Sequence, residues 1–216
     1  MKTVVQCDFD GTITEEDVSF LLLDTFTDSD WRQLFKDYTE GKMSVGAFNT
    51  RAFAMVKADK QTLLDFVLTS GRVKIRPGFD ELLNYCSGKG FRFVIVSNGL
   101  SFYIEAILEN EGIKGIEVLA AQSRFSPEGM AVSYIGPDGS HMEAGFKEIY
   151  TELFQKQGCS VIYAGNGLSD IYPARRANHV FATGDLLKRC RETGLECLPF
   201  NDLNDIVRGL ETLSLG

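Results

Sequence analysis

Two aspartates one residue apart, Asp8 and Asp10, stand where the apolar run KTVVQC (2–7) gives way to glycine and threonine, as Asp8-Phe9-Asp10-Gly11-Thr12. Two acids placed where a buried strand emerges can do different jobs, one bonded to a substrate and the other poised nearby. Gly11 permits a sharp exit, and Thr12 offers a hydroxyl and a backbone N–H to an oxyanion. Taken alone, the segment reads equally as an Asp-Gly turn that ends a strand. A second cluster, Ser97-Asn98-Gly99, closes the run FRFVIVS (91–97), ahead of a helix expected to start near Leu100. A hydroxyl and amides at a helix N-terminus cradle an anion, although a simple helix cap needs the same residues. A third, Gly165-Asn166-Gly167-Leu168-Ser169-Asp170, follows the run CSVIYAG (159–165). Carboxylates and amide oxygens suit a hard cation, and Mg2+ is the usual one beside phosphate. Lys147 precedes that run by one helix, and alone it reads as a surface lysine.

The elements that must position these residues alternate. KTVVQC, FRFVIVS and CSVIYAG are short, rich in β-branched and aromatic residues, and not cleanly alternating, as in strands buried on both faces of a parallel sheet. HVFA (179–182) and ECLPF (196–200) read as shorter strands. PGFDELLNYCSGKG, LSFYIEAILENEG and EAGFKEIYTELFQKQG carry apolar residues at helical spacing and close on glycine. The class is therefore α/β, a doubly wound parallel sheet, with ligands expected beyond the carboxyl ends of its strands. One long interval interrupts it. DVSFLLLDTF, DWRQLFKDYTEG, SVGAFNTRAFAMV and KQTLLDFVL all read as amphipathic helices, which predicts a helical cap at 15–76 inserted into a core of 1–14 and 77–216. SPEG and GPDG turns around AVSYI predict an antiparallel hairpin within 121–139.

Composition narrows the function. Hydrophobic residues at 44% and charged residues at 24% are ordinary for a globular chain. A net charge of −8 without a concentrated basic patch argues against nucleic acid and anionic membrane as partners. Arg175-Arg176 and KRCR (188–191) are short enough to be solvated helix faces. No run approaches the ~20 apolar residues that span a bilayer, and the N-terminus lacks a targeting pattern, so a soluble cytoplasmic protein is expected. Five scattered cysteines without a CxxC pair read as reduced thiols. His141 and His179 fit no motif. Oligomeric state is not legible.

Taken together and in this order, the four segments resemble the haloacid dehalogenase superfamily, whose first motif is DxDGT or DxDST, followed by a strand-end Ser or Thr, a Lys, and a glycine-rich acidic motif. The insert is similar to the cap of the phosphoserine-phosphatase-like branch. The stretch DIYPARRANHVFATGDLLKRCRETGLECLPFNDLNDI resembles the methionine-salvage phosphatases acting on 2-hydroxy-3-keto-5-methylthiopentenyl-1-phosphate.

The resemblance implies a Mg2+-dependent phosphomonoesterase acting on a small phosphorylated metabolite. Asp8 would be the nucleophile and Asp10 the general acid and base, with Lys147 completing the catalytic set. Gly11, Thr12, Ser97, Asn98, Gly99 and Lys147 would hold phosphate. Asp8, Asp10 through its carbonyl, Asn166 and Asp170 would hold the metal, with Asp170 contacting it directly or through water. Asn166 departs from the family's GDxxxD pattern, where an aspartate ligates the metal, so weaker metal binding is expected. Asp17 matches an acid that reads the substrate amine in phosphoserine phosphatases, and Arg51 is the candidate for their cap arginine. Phe48, Phe53 and Met55 would line an apolar pocket or fill the cap core. Phosphoserine or another phosphometabolite is the alternative substrate. A phospho-accepting signalling domain, which needs no cap, and a non-catalytic binding protein are the alternatives of another class.

Overall fold

A computed structural model of the chain describes residues 2–213, so residue 1 and residues 214–216 of the expected core lie outside the described part. Strand β1 (Lys2–Cys7) is buried from Thr3 onward and pairs in parallel with β2 (Arg92–Leu100) on one side and β6 (Cys159–Gly165) on the other. The remaining strands are β3 (Glu117–Ser126), β4 (Gly129–Ile135), β5 (His141–Met142), β7 (His179–Ala182) and β8 (Leu198–Pro199), giving the order β5-β4-β3-β2-β1-β6-β7-β8. From β1 the chain winds outward through β2 and β3 on one side and through β6, β7 and β8 on the other. The carboxyl end of β1 therefore sits at the switch point, where flanking connections diverge and leave a crevice. This is the doubly wound α/β architecture.

Four helices fill the interval after β1: α1 (Val18–Phe26), α2 (Trp31–Thr39), α3 (Val45–Phe53) and α4 (Lys60–Thr69). Each begins at a residue whose side chain accepts a backbone N–H of the first turn, namely Asp17, Asp30, Ser44 and Asp59. Such caps satisfy amides that the helix leaves free, worth about 1 kcal/mol each. The insert's two linkers pair through an antiparallel bridge between Thr14 and Ile75. Arg76, where the chain re-enters the core, donates to the carbonyls of Thr12 at 2.9 Å and Gly11 at 3.0 Å. The insert is not a detached lid: Trp31, Phe48, Phe53 and Leu63 share one apolar cluster with Val5, Val94 and Ile162 of the sheet.

The rest of the chain supplies α5 (Phe79–Gly88), α6 (Ser101–Asn110), α7 (Phe146–Lys156), α8 (Ile171–Arg176), α9 (Gly184–Thr193) and α10 (Leu203–Thr212). Both expected turns are present, joining β3 to β4 and β4 to β5. The hairpin's first arm, however, also belongs to the parallel sheet: β3 pairs with β2 from Glu117 before turning antiparallel against β4. Its half-exposed pattern hides it among apolar runs. Helix α6 starts at Ser101, beside the expected Leu100, but strand β2 continues to Leu100 with a break in register after Val96, so Ser97 lies within the strand and neither caps the helix nor stands at its N-terminus. The strand expected over 196–200 contracts to two residues. All five cysteines are free thiols.

Candidate active site

The floor of the site is an ion triad. Helix α7 carries Lys147 beneath the sheet rim, where its Nζ lies 2.7 Å from Asp8 Oδ1 and 2.6 Å from Asp170 Oδ1. All three side chains are buried, so water screens little of this interaction. Asp170 is fully engaged. Its Oδ1 also accepts from Tyr163 Oη at 2.5 Å, and its Oδ2 accepts from the amides of Asn166 at 2.9 Å and Gly167 at 2.7 Å. Four hydrogen bonds use the lone pairs of a carboxylate, so Asp170 serves here as an anchor for Lys147 rather than presenting a free oxygen to a cation. Burial opposes the Lys147 charge, but Asp170 and Asp8 together outweigh it and raise the lysine's pKa. Burial also pushes the Asp8 carboxyl up to about 7, against the pull of Lys147.

Asp10 stands on the other side of the crevice. Its Oδ2 accepts from Tyr103 Oη at 2.5 Å and Ser19 Oγ at 3.4 Å, and its Oδ1 from the Val18 amide at 3.3 Å. Burial raises its pKa well above the usual carboxylate range, with the neighbouring charge of Asp17 adding to the effect. Gly99 makes this arrangement possible: a Cβ there would collide with Asp10 Oδ2 and Tyr103 Oη. Ser97 Oγ accepts from the Gly99 amide at 3.0 Å, inside its own strand rather than at a helix start. The Asn98 carbonyl receives Asn49 Nδ2 of α3 at 2.9 Å and Tyr134 Oη of β4 at 2.8 Å. Asn98 Oδ1 is buried without a hydrogen-bond partner, the one such side-chain atom among the described residues.

These groups open onto one cavity of about 330 Å³. Asp8, Asp10, Asp17, Ser97, Asn98, Gly99, Lys147 and Asn166 line it, with Asp170 directly behind Lys147. Three expected phosphate donors, Gly11, Thr12 and Gly99, are corrected, the Gly99 amide being spent on Ser97 Oγ. The amide of Gly11 bonds to Thr14 Oγ1 and the Glu16 carbonyl, and that of Thr12 to the Phe9 carbonyl, so both are spent inside the turn. Gly11 instead adopts φ +71°, leaving room for Asn166, whose Oδ1 accepts from Thr12 Oγ1 at 2.9 Å. Asp17 does face the cavity; it caps α1, and burial pushes its pKa up to about 6. Arg51 does not. It lies exposed on the outer side of α3, lining a separate groove with Val132, Tyr134 and His141, while Phe48 and Asn49 of the same helix face the cavity.

The insert roofs the cavity with Phe20, Phe35, Tyr38 and Phe48, whose rings pack at centroid distances of 5.0–6.0 Å. Of the expected apolar residues, Phe48 reaches the cavity, Phe53 is core, and Met55 packs against the core. The sequence pattern does not mark Tyr103, Tyr163, Ser19, Asn49 or the roof residues Phe20, Phe35 and Tyr38 as site residues. A signal existed for two of them, since a tyrosine hydroxyl inside a buried run must find a partner.

A haloacid dehalogenase-like hydrolase family model matches residues 5–175. The chain belongs to that family. Among curated relatives it is 28% identical over 214 residues to a 2-hydroxy-3-keto-5-methylthiopentenyl-1-phosphate phosphatase of Brevibacillus brevis, covering 97% of this chain and 96% of that one. It is 30% identical to an Exiguobacterium protein of the same name, covering 95% and 96%. Among solved structures, a phosphoserine phosphatase from T. onnurineus superposes with a TM-score of 0.71 at 20% identity, covering 99% of this chain and 96% of that one. That last likeness is one of fold. No helix among the described residues is long and apolar enough to cross a membrane.

The donor set bears on the family's metal. Among the described residues no three His, Cys, Asp or Glu side chains converge into a ready-made cluster. Three buried carboxylates, Asp8, Asp10 and Asp170, nevertheless face a single cation, Lys147. Burial holds Asp8 and Asp10 above the usual carboxylate range, and ionising all three carboxylates beside one lysine would leave net negative charge away from water, which a divalent cation would relieve. Asp8, the Asp10 carbonyl and Asn166 Oδ1 are all hard oxygen donors, so the residues fit Mg2+.

Proposed function

We propose that the protein is a cytoplasmic phosphomonoesterase that hydrolyses a small organic phosphate through an aspartyl-phosphate on Asp8. The observation carrying this reading is the buried Lys147 bridge between Asp8 and Asp170, set across one small cavity from Asp10. Lys147 holds the Asp8 carboxylate in place while its own position is fixed by Asp170, so neither group must reorganise when phosphate arrives. Asp8 attacks phosphorus, and Asp10 protonates the departing ester oxygen, then takes a proton from the water that cleaves the acyl phosphate. Ser97 Oγ, Lys147 Nζ and the Asn98 amide group are the donors available to the phosphoryl oxygens. Mg2+, held by Asp8, the Asp10 carbonyl and Asn166, would neutralise phosphoryl charge and favour the ionised nucleophile.

The roof speaks to the substrate. Phe20, Phe35 and Phe48 offer apolar surface, and among the described residues Lys147 is the one cationic side chain lining the cavity, already committed to two carboxylates. A phosphate ester with a short, uncharged, largely apolar tail fits this lining, and 2-hydroxy-3-keto-5-methylthiopentenyl-1-phosphate is such a compound. Phosphoserine fits less well: Asp17 would meet its ammonium group, but with Arg51 outside the cavity its carboxylate would have no cation. Phosphate release from both compounds and from p-nitrophenyl phosphate, with Mg2+ present, tests the reading. The expected result is preference for the apolar ester and loss of all turnover in Asp8→Asn. Turnover surviving that substitution, or a stable phosphoprotein without turnover, would overturn it.

A further inference from the structure

Resting on the reading above, we propose that Tyr103, together with Ser19, is the positioning residue that orients Asp10 for proton delivery to the leaving group. Tyr103 lies on α6 and is fully buried, 93 positions along the chain from the acid it touches. Its hydroxyl has two partners, Asp10 Oδ2 at 2.5 Å and Ser19 Oγ at 2.9 Å, and Ser19 Oγ also lies 3.4 Å from the same Asp10 oxygen. The three oxygens form a closed triangle joining the sheet rim, the core helix α6 and the first helix of the insert. Tyr103 gives its one hydroxyl proton to Oδ2, and Ser19 gives its own either to the same Oδ2 or to Tyr103 Oη, so Oδ2 is held from α6 and backed by α1. Oδ1 carries only the long contact from the Val18 amide, so it is the oxygen with a lone pair left for proton transfer. Gly99 belongs to the same device, because any side chain there would separate Asp10 from Tyr103.

The ring and the hydroxyl of Tyr103 have separable roles. The ring packs edge-on against Phe102 at 5.4 Å, a contact phenylalanine would keep. The hydroxyl serves only the Asp10–Ser19 pair. In the step it supports, an Asp8 oxygen forms a bond to phosphorus as the ester P–O bond breaks. The bonding pair goes to the leaving oxygen, which takes the proton from Asp10, while Tyr103 keeps its own. A leaving group that is stable as an anion needs that proton little; a poor one needs it much.

The test compares two aryl esters of similar shape, p-nitrophenyl phosphate and phenyl phosphate, on the full chain with Mg2+. The parameter kcat/KM reports steps through departure of the alcohol and is blind to the later hydrolysis of the aspartyl-phosphate. Tyr103→Phe is expected to lower kcat/KM for phenyl phosphate at least about tenfold more than for p-nitrophenyl phosphate, part of the ~10²–10⁴-fold that a positioned general acid supplies. Ser19→Ala should shift the same ratio in the same direction by less, and it carries the test if Tyr103→Phe does not fold. Equal losses on both esters would assign the hydroxyl a packing role and overturn the proposal, as would an unchanged ratio in both variants. Residual turnover in Asp8→Asn would instead sink the phosphatase reading. An inactive Asp8→Asn beside an unchanged ratio removes only the role of Tyr103.

Discussion

At the rim of the sheet, the charged groups at the cavity are tied down: Asp170 accepts four hydrogen bonds, Lys147 bridges two carboxylates, and Asp10 is held on both oxygens. At the insert the same cavity meets rings. Phe20, Phe35 and Phe48 present apolar faces, while the polar links to the core run beside them, from Asn49 to the Asn98 carbonyl and Tyr134 Oη and from Val18 and Ser19 to Asp10. The difference follows from what each region must do. Charge developing on a phosphoryl group is stabilised by dipoles and ions already in place, so the rim is rigid and over-determined. A substrate tail is chosen by shape and apolar area, for which packed aromatic side chains suffice.

Breaking the rim should have the larger effects. Replacing Lys147 with methionine leaves Asp8 and Asp170 buried without their cation. Urea denaturation in the absence of divalent metal should show a loss of about 3–5 kcal/mol, and a loss below 1 kcal/mol would show the triad to be loosely held. Asn166→Asp adds a fourth acid to the same rim and sharpens the electrostatic side of the comparison. Its melting temperature without metal should fall, while Mg2+ should raise it more than in the native chain, with metal affinity strengthened about tenfold. Identical Mg2+ responses in the two proteins would mean that residue 166 does not touch the cation.

Changes in the insert should alter selection more than chemistry. Phe35→Ala opens the roof, and kcat/KM for an apolar-tailed phosphate is expected to fall about tenfold relative to a small polar one such as glycerol phosphate. A uniform loss on both would place Phe35 in support of catalysis instead. The smallest effect belongs to Arg51→Ala. Because that side chain is exposed outside the cavity, kinetics on every phosphate tried should stay within about twofold of the native values, and a selective loss on phosphoserine would return Arg51 to the site.

The two regions were also unequally legible. The strands β1, β6 and β7 coincide with apolar runs, because a strand buried on both faces must be apolar throughout. Strand β3 has no such run, because its alternating, half-exposed residues resemble a loop with a hairpin. Asp8, Asp10, Ser97, Lys147 and the Gly165–Asp170 segment were readable as a group since each ends or precedes such a run. The resemblance assigns the Gly11 and Thr12 amides to phosphate, and in sequence a turn's amides look available, whereas folding closes them onto Glu16, Thr14 and Phe9.

What the linear chain determined was the alternation of strand and helix, the place of the insert, and the acids at the ends of buried runs, all consequences of local periodicity and of where those runs stop, with Lys147 added to them by the family resemblance. What only the tertiary structure decided was which partner each of those groups meets. Tyr103 reaches Asp10, Tyr163 and the neighbouring amides fill the valence of Asp170, Arg51 turns outward while Phe35 and Phe48 turn in. The reason is one of range. Periodicity reports which face of an element is buried, whereas the identity of the atom across the gap depends on packing between segments dozens of residues apart, which no local pattern encodes.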